Sequence, residues 1–206
     1  TNVKPKLVLK QLENAGLPVF LVKSPKNASE GKTMLRMIGK AVDRESQAKK
    51  LVQNIEQDLS RLSQLKKSWR KKKAPRVIFL YVRGTRTRFV MGRNSSISGM
   101  IALAGGKNVV SFDNYRSLSA EGLILLKPDV IVAFKRGVRS IGGLNNLHAL
   151  KGVALTPAGR HKRFVLMDDL YLGGFGPRFG KAAIHLFRAF YIHKGSWVQP
   201  SKPSVR

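Results

Sequence analysis

Most side chains of this sequence that could do chemistry are arginines set beside turns. Arg178 follows Gly176 and Pro177, which fix the turn that presents it, and Arg136 stands just past an apolar strand-like run ending at Phe134. Arg93 and Asn94 precede a helix start at Ser95 or Ser96, and Arg83 opens a basic turn over 83–88. Cations placed at strand ends and helix starts are suited to holding anionic groups. Each also has a plainer reading. Arg178 could cap the last helix, and Arg93 with Asn94 could form a simple surface turn. Tyr171 is either a stacking ring and oxygen donor facing a cleft, or a buried tyrosine with a satisfied hydroxyl.

Catalytic constellations are missing from the sequence. It contains no GxSxG, no Walker loop and no HExxH, and the glycines of GGFGPRFG do not follow the dinucleotide fingerprint. Asp168 and Asp169 are adjacent, so on a strand they point to opposite faces and make a poor acid–base pair. His148, His161, His185 and His193 lack metal-site spacing, and His185, among apolar helix residues, reads as core. With no cysteine, disulfides, zinc–thiolate sites and thiol nucleophiles are excluded. The reading is a binding protein, not an enzyme.

The elements that must position these residues are organised around one long helix, 45–73. Ala48, Leu51, Val52, Ile55, Leu59, Leu62, Leu65 and Trp69 recur at helical steps, uninterrupted by glycine or proline. The pattern predicts a strut joining two bodies. Upstream, the sequence predicts a helix near 6–14 stopped by Gly16, a buried strand at 19–22, and a helix capped by Ser29 with Met34, Leu35, Met37, Ile38 and Val42 on its core side. Because a strand at 19 needs sheet neighbours, residues 1–44 read as the remnant of a first lobe. Residues 74–192 read as a second lobe of alternating strands and helices, and 193–206 as a loose tail. Within that second body strands are expected at 76–82, 88–92, 130–134 and 163–170, a helix and a strand-like run within 143–157, and a final helix over 181–191. The fold class is therefore α/β: two α/β sandwich lobes joined by one rigid helix, the first lobe incomplete.

The formal charge of +28, from 39 Lys and Arg against 11 Asp and Glu, attracts polyanions of several kinds. It also suits a source whose proteins are basic as a habit. The run 66–73 raises a second class of function, a nucleic-acid-binding module, but the aromatics Phe79, Tyr81, Phe89, Phe134 and Phe164 lie in strand-like runs and read as core. No run approaches the ~20 apolar residues of a membrane span, and the start lacks the apolar segment of a signal peptide.

Several short stretches, in order, resemble one family. They are Met91-Gly92-Arg93-Asn94-Ser95, Leu103-Ala104-Gly105-Gly106, Leu118-Ser119-Ala120-Glu121, Lys127-Pro128-Asp129-Val130-Ile131-Val132, Leu155-Thr156-Pro157-Ala158-Gly159-Arg160 and Gly174-Phe175-Gly176-Pro177-Arg178. The chain resembles the bacterial periplasmic haem-binding proteins that serve ABC importers. The resemblance implies two lobes with haem, as transported ligand, held in the cleft between them and passed to an inner-membrane permease by a periplasmic, monomeric receptor. It implies that Arg178 hydrogen-bonds a propionate or an axial phenolate, that Arg83, Arg93, Asn94, Arg136 and Tyr171 sit on cleft loops, and that Glu121 docks on the permease. The capping role of an acid at a helix start is the plainer account of Glu121. The family's iron-ligating tyrosine matches no residue here, so the iron ligand is expected outside this chain. Siderophore and corrinoid receptors share the implied fold and remain the alternative.

Overall fold

The computed structural model describes residues 6–84, 87–193 and 195–198. Helix α1 (Lys6–Asn14) forms where expected and ends at Gly16, whose φ of +72° suits glycine. No strand follows at 19–22. A strand needs a neighbour for its backbone groups, none lies beside this segment among the described residues, and Leu17, Phe20 and Leu21 are half exposed.

Helix α2 (Ala28–Ala41) is capped by Asn27 rather than Ser29. The Asn27 side chain accepts from the Glu30 N–H at 2.9 Å, while the Glu30 carboxylate accepts from the Lys26 N–H at 2.8 Å. Its methionine stripe does not face the core as expected: Met37, Ile38 and Val42 are exposed, and the buried side is Gly31, Leu35 and Gly39. The reason is close packing. A Cβ on Gly39 would collide with that of Ala48, and one on Gly31 would lie 2.9 Å from the Phe175 Cβ.

Helix α3 (Glu45–Ser68) spans about 36 Å at 1.5 Å per residue. It closes at Trp69 rather than 73, because the Trp69 and Arg70 N–H groups bond to the Lys66 and Lys67 carbonyls and tighten the last turn. Ala48, Val52, Ile55 and Leu62 bury its face together with Asp58, a polar member that the apolar spacing did not mark. That face lies on α2 and on α10 (Phe179–Tyr191).

The rest is a sheet of β1 (Arg76–Arg83), β2 (Thr87–Met91), β3 (Lys107–Asn108), β4 (Tyr115–Arg116), β5 (Val130–Phe134), β6 (Phe164–Met167) and β7 (Trp197–Val198). The order is β4-β2-β1-β5-β6-β7, with β3 also on β1. β1, β5, β6 and β7 run parallel, whereas β2 pairs antiparallel with both β1 and β4, which forms the edge on that side. Strand β1 alternates Val77 and Phe79 toward one face with Ile78, Leu80 and Val82 toward the other, so both faces are buried. The first face carries α3, α10 and α4 (Ser96–Leu103). The second carries α5 (Ala120–Leu126), α6 (Lys135–Ser140), α7 (Leu144–Ala149) and α8 (Pro157–Arg160) through Leu123, Val138, Leu147 and Ala158. The mixed α/β class and the largely parallel sheet are as expected.

Three local expectations give way. Residues 153–156 form turns, since the Thr156 hydroxyl caps α8 and Pro157 opens it. Asp168 and Asp169 are not on a strand: Asp168 caps α9 (Asp169–Leu172) by accepting from the Leu170 and Tyr171 N–H groups. The tail is not loose throughout, because β7 pairs with β6 and the Ser196 hydroxyl donates to the Lys162 carbonyl; positions 199–206 lie outside the described residues.

Replacing Ile55, 1% exposed on α3, by alanine is expected to cost about 2–5 kcal/mol of unfolding free energy in urea titrations. The exposed neighbour Gln57→Ala should stay within about 0.5 kcal/mol.

Candidate functional site

Parallel α/β sheets present their loops at the carboxyl ends of the strands, and here those ends meet in one depression. Phe134 ends β5, Met167 ends β6 into α9, and the loop 173–178 leads into α10. The depression, about 590 Å³, is lined by Phe134, Asp169, Leu170, Tyr171, Pro177 and Arg178 with the loop glycines. Its floor is aromatic. Phe134 meets Phe79 edge-on at 4.7 Å and Tyr81 at 6.2 Å, and Leu170 stands on the rim at 83% exposure.

The loop is held at two points. Phe175, 1% exposed, adopts φ +45° and drives its ring into the core, 5.2 Å from Phe179. The Ser96 hydroxyl donates to the Gly173 carbonyl at 2.7 Å. Glycines on both sides give Phe175 the chain freedom to turn inward. Arg178, thus placed at the N-cap of α10, makes no side-chain capping bond. Its guanidinium lies 5.4 Å from the centre of the Tyr171 ring, a cation–π contact at the mouth of the depression.

Tyr171 is 6% exposed, and its hydroxyl pairs with His185 Nδ1 at 3.1 Å, the satisfied arrangement. Burial pushes its pKa up to about 12, Arg178 opposing, so the hydroxyl is neutral across the ordinary range. Burial also lowers the pKa of His185, helped by Arg188 and Lys181 and opposed by Asp58. His185 is therefore no plain core residue. Its link to Tyr171, fourteen positions away, leaves no local pattern in the sequence.

The other predicted residues distribute unevenly. Arg136, 79% exposed at the side chain, pairs with Asp169 at 3.7 Å and so stands beside the depression. Arg93 and Asn94 both turn to Asp113, at 3.6 Å and 3.0 Å, in a surface turn where Asn94 has φ +56°. Arg83 is exposed at the end of β1, and Thr85 and Arg86 of its loop lie outside the described residues. Glu121 sits apart on α5, on the second face. Its pKa is lowered by its own N–H first, then by the Ser119 hydroxyl and Lys151. The sequence reading missed Leu170, Asp169, Ser96 and the anchoring role of Phe175.

A family model described as periplasmic binding protein matches residues 9–171. The chain belongs to the periplasmic binding protein family. Among solved structures, the periplasmic haem-binding protein RhuT from Roseiflexus sp. RS-1 is 35% identical with a TM-score of 0.84, over 91% of this chain and 72% of that one. The periplasmic haem-binding protein BhuT, solved with two haems, is 28% identical with a TM-score of 0.84, over 92% and 72%. A curated relative, an uncharacterised ABC transporter substrate-binding lipoprotein YvrC of Bacillus subtilis, is 24% identical over 188 residues. The chain spans 57% of the length of that relative, which in turn matches 89% of this chain.

The lowered pKa of His185 makes stability pH-dependent in one direction. Above the unfolded value of about 6.5 both states hold it neutral, and below it the unfolded chain takes up the proton first, so the fold loses stability as the pH falls. Thermal melts from pH 7.5 downward should show this loss, and His185→Gln should flatten it.

Proposed function

We propose that this chain is the ligand-holding part of the substrate-binding component of a haem importer of the ABC class, carrying haem as cargo without transforming it. The observation that carries the reading is the depression itself: an aromatic and aliphatic lip, Phe134 and Leu170, beside the Arg178 guanidinium over Tyr171. Haem is a flat apolar disc with two carboxylates, and it needs those two surfaces together. The likeness to haem-binding proteins RhuT and BhuT supports the same cargo. Arg178 takes a propionate, Arg136 neighbours it, and the rings bear on the disc. Arg83, Arg93 and Asn94 belong to the outer cleft wall.

In this reading residues 74–192 are one lobe and α3 is the connector. Residues 1–44 belong to the other lobe, which the exposed Phe20, Leu21, Met37 and Val42 support, since those side chains suit a further packed layer. Iron is ligated from outside this chain, the receptor works as a periplasmic monomer, and Glu121 meets the permease.

Haem titrated into the complete receptor, with the iron-ligating lobe in place, should shift its Soret band, whereas a siderophore or corrinoid receptor would leave the band where free haem has it. Arg178→Ala should weaken binding by about tenfold to a hundredfold, the worth of a hydrogen bond to a charged group. An unshifted band, or an Arg178→Ala protein that binds as well as the parent, overturns the reading. Glu121→Lys should leave the titration unchanged and abolish haem-dependent growth through the importer.

A further inference from the structure

The end of the sheet opposite the depression carries a different chemistry. There the strands begin, and the backbone ties their starts together: the Lys107 N–H donates to the Pro75 carbonyl, the Asp129 N–H to the Arg76 carbonyl, and the Ile131 N–H to the Arg163 carbonyl. Arg76, Lys107, Lys127, Lys162 and Arg163 therefore share one rim. The last turn of α3 runs into the same rim, because Trp69, Lys72 and Lys73 line one hollow with Arg76, Asp129, His161 and Arg163. Lys67, Lys71, Lys72, Lys73, Lys107 and Lys162 are exposed.

Negative charge is nearly missing from this rim. Asp129 alone among the described residues of these strand starts is acidic, and its carboxylate accepts from the Arg76 N–H at 2.8 Å. The ion pairs of Lys32 and Arg36 with Glu56, of Arg93 with Asp113 and of Arg136 with Asp169 lie elsewhere. Two rim arginines serve the fold: Arg76 donates to the Leu126 and Lys127 carbonyls, and Arg163 donates to the Phe190 carbonyl at the end of α10. What remains outward is a set of lysines, compact charges on flexible stems.

We propose that this rim, from the end of α3 across the starts of β1, β3 and β6, docks on the headgroups of an anionic phospholipid bilayer. Lysines of this kind suit a diffuse layer of phosphates more than a fixed oxyanion. Nucleic acid fits less well, since the rings of Trp69 and Tyr191 are engaged: Trp69 packs on Tyr191 at 5.9 Å, and the Tyr191 hydroxyl donates to the Gly105 carbonyl at 2.9 Å. Neither ring stands out to stack on a base. The rim lies at the far end of the strands from the depression, so docking leaves the ligand site open.

The test is co-sedimentation of the whole protein with phosphatidylglycerol vesicles and with phosphatidylcholine vesicles, at low and at physiological salt. Binding should be confined to the anionic vesicles and should weaken as salt rises. Lys71→Ala, Lys72→Ala and Lys73→Ala together should lower partitioning by about a hundredfold, roughly fivefold for each lysine. The matched triple Lys40→Ala, Lys49→Ala and Lys50→Ala removes the same charge from the other end of the α2–α3 pair and should change it little. Equal losses in the two triples would reduce the effect to net charge and overturn the proposal. So would equal binding to both lipids, no binding to either, or salt-sensitive binding to single-stranded DNA that outcompetes the anionic vesicles. Circular dichroism of both triples keeps a folding defect from passing as a docking defect.

Discussion

Gly180 brings α10 against α3 so closely that an added Cβ would lie 2.6 Å from the Asp58 Cβ and 3.3 Å from the Ile55 carbonyl oxygen. Through that approach the long helix lies flat on the sheet's first layer instead of standing clear of it. Helix α10 then has one position along its axis, fixed by Phe179, Leu186 and Phe187 on the core side. Everything at its N-terminus inherits that position. Arg178, the Tyr171–His185 pair and the turn 173–178 all take their places from a contact that makes no bond to any ligand.

The second fastening is made by α2. Its glycine face sits on Ala48 of α3 and on Phe175 of the loop, so the loop is pressed between two helices and the sheet. A ring in the core, rather than hydrogen bonds at the surface, sets where the arginine points. Charge has a similar division of labour. Asp169 accompanies Arg136 beside the depression, whereas acids are sparse among the described residues at the strand starts, so one strongly basic chain presents two chemically different ends.

Much of this was legible in the sequence because it is written locally. Ser95 caps its helix as its position before an apolar run suggests, and the apolar run Val130–Phe134 is a fully flanked central strand. The family resemblance rested on such punctuation, and the match over residues 9–171 agrees with it. The misreadings share a cause. Apolar content alone points to the methionine stripe of α2 and to a strand at 19–22, yet the burial of α2 is decided by where a glycine allows another helix to come close. Asp58 and His185 were invisible for a related reason: their partners come from other helices, and no spacing along the chain encodes them. The depression could be placed from the turn residues, but its rim at Leu170 and its anchor at Phe175 depend on the third dimension.

If the depression holds a guest as proposed, Phe175 governs how that guest is taken up. A turn nailed down by an aromatic side chain has little motion to surrender, so this wall of the slot imposes almost no ordering penalty when it is filled. Equally, it cannot slacken to let the guest go. On the proposed reading, unloading comes from parting this wall from whatever faces it, with its own shape unchanged throughout.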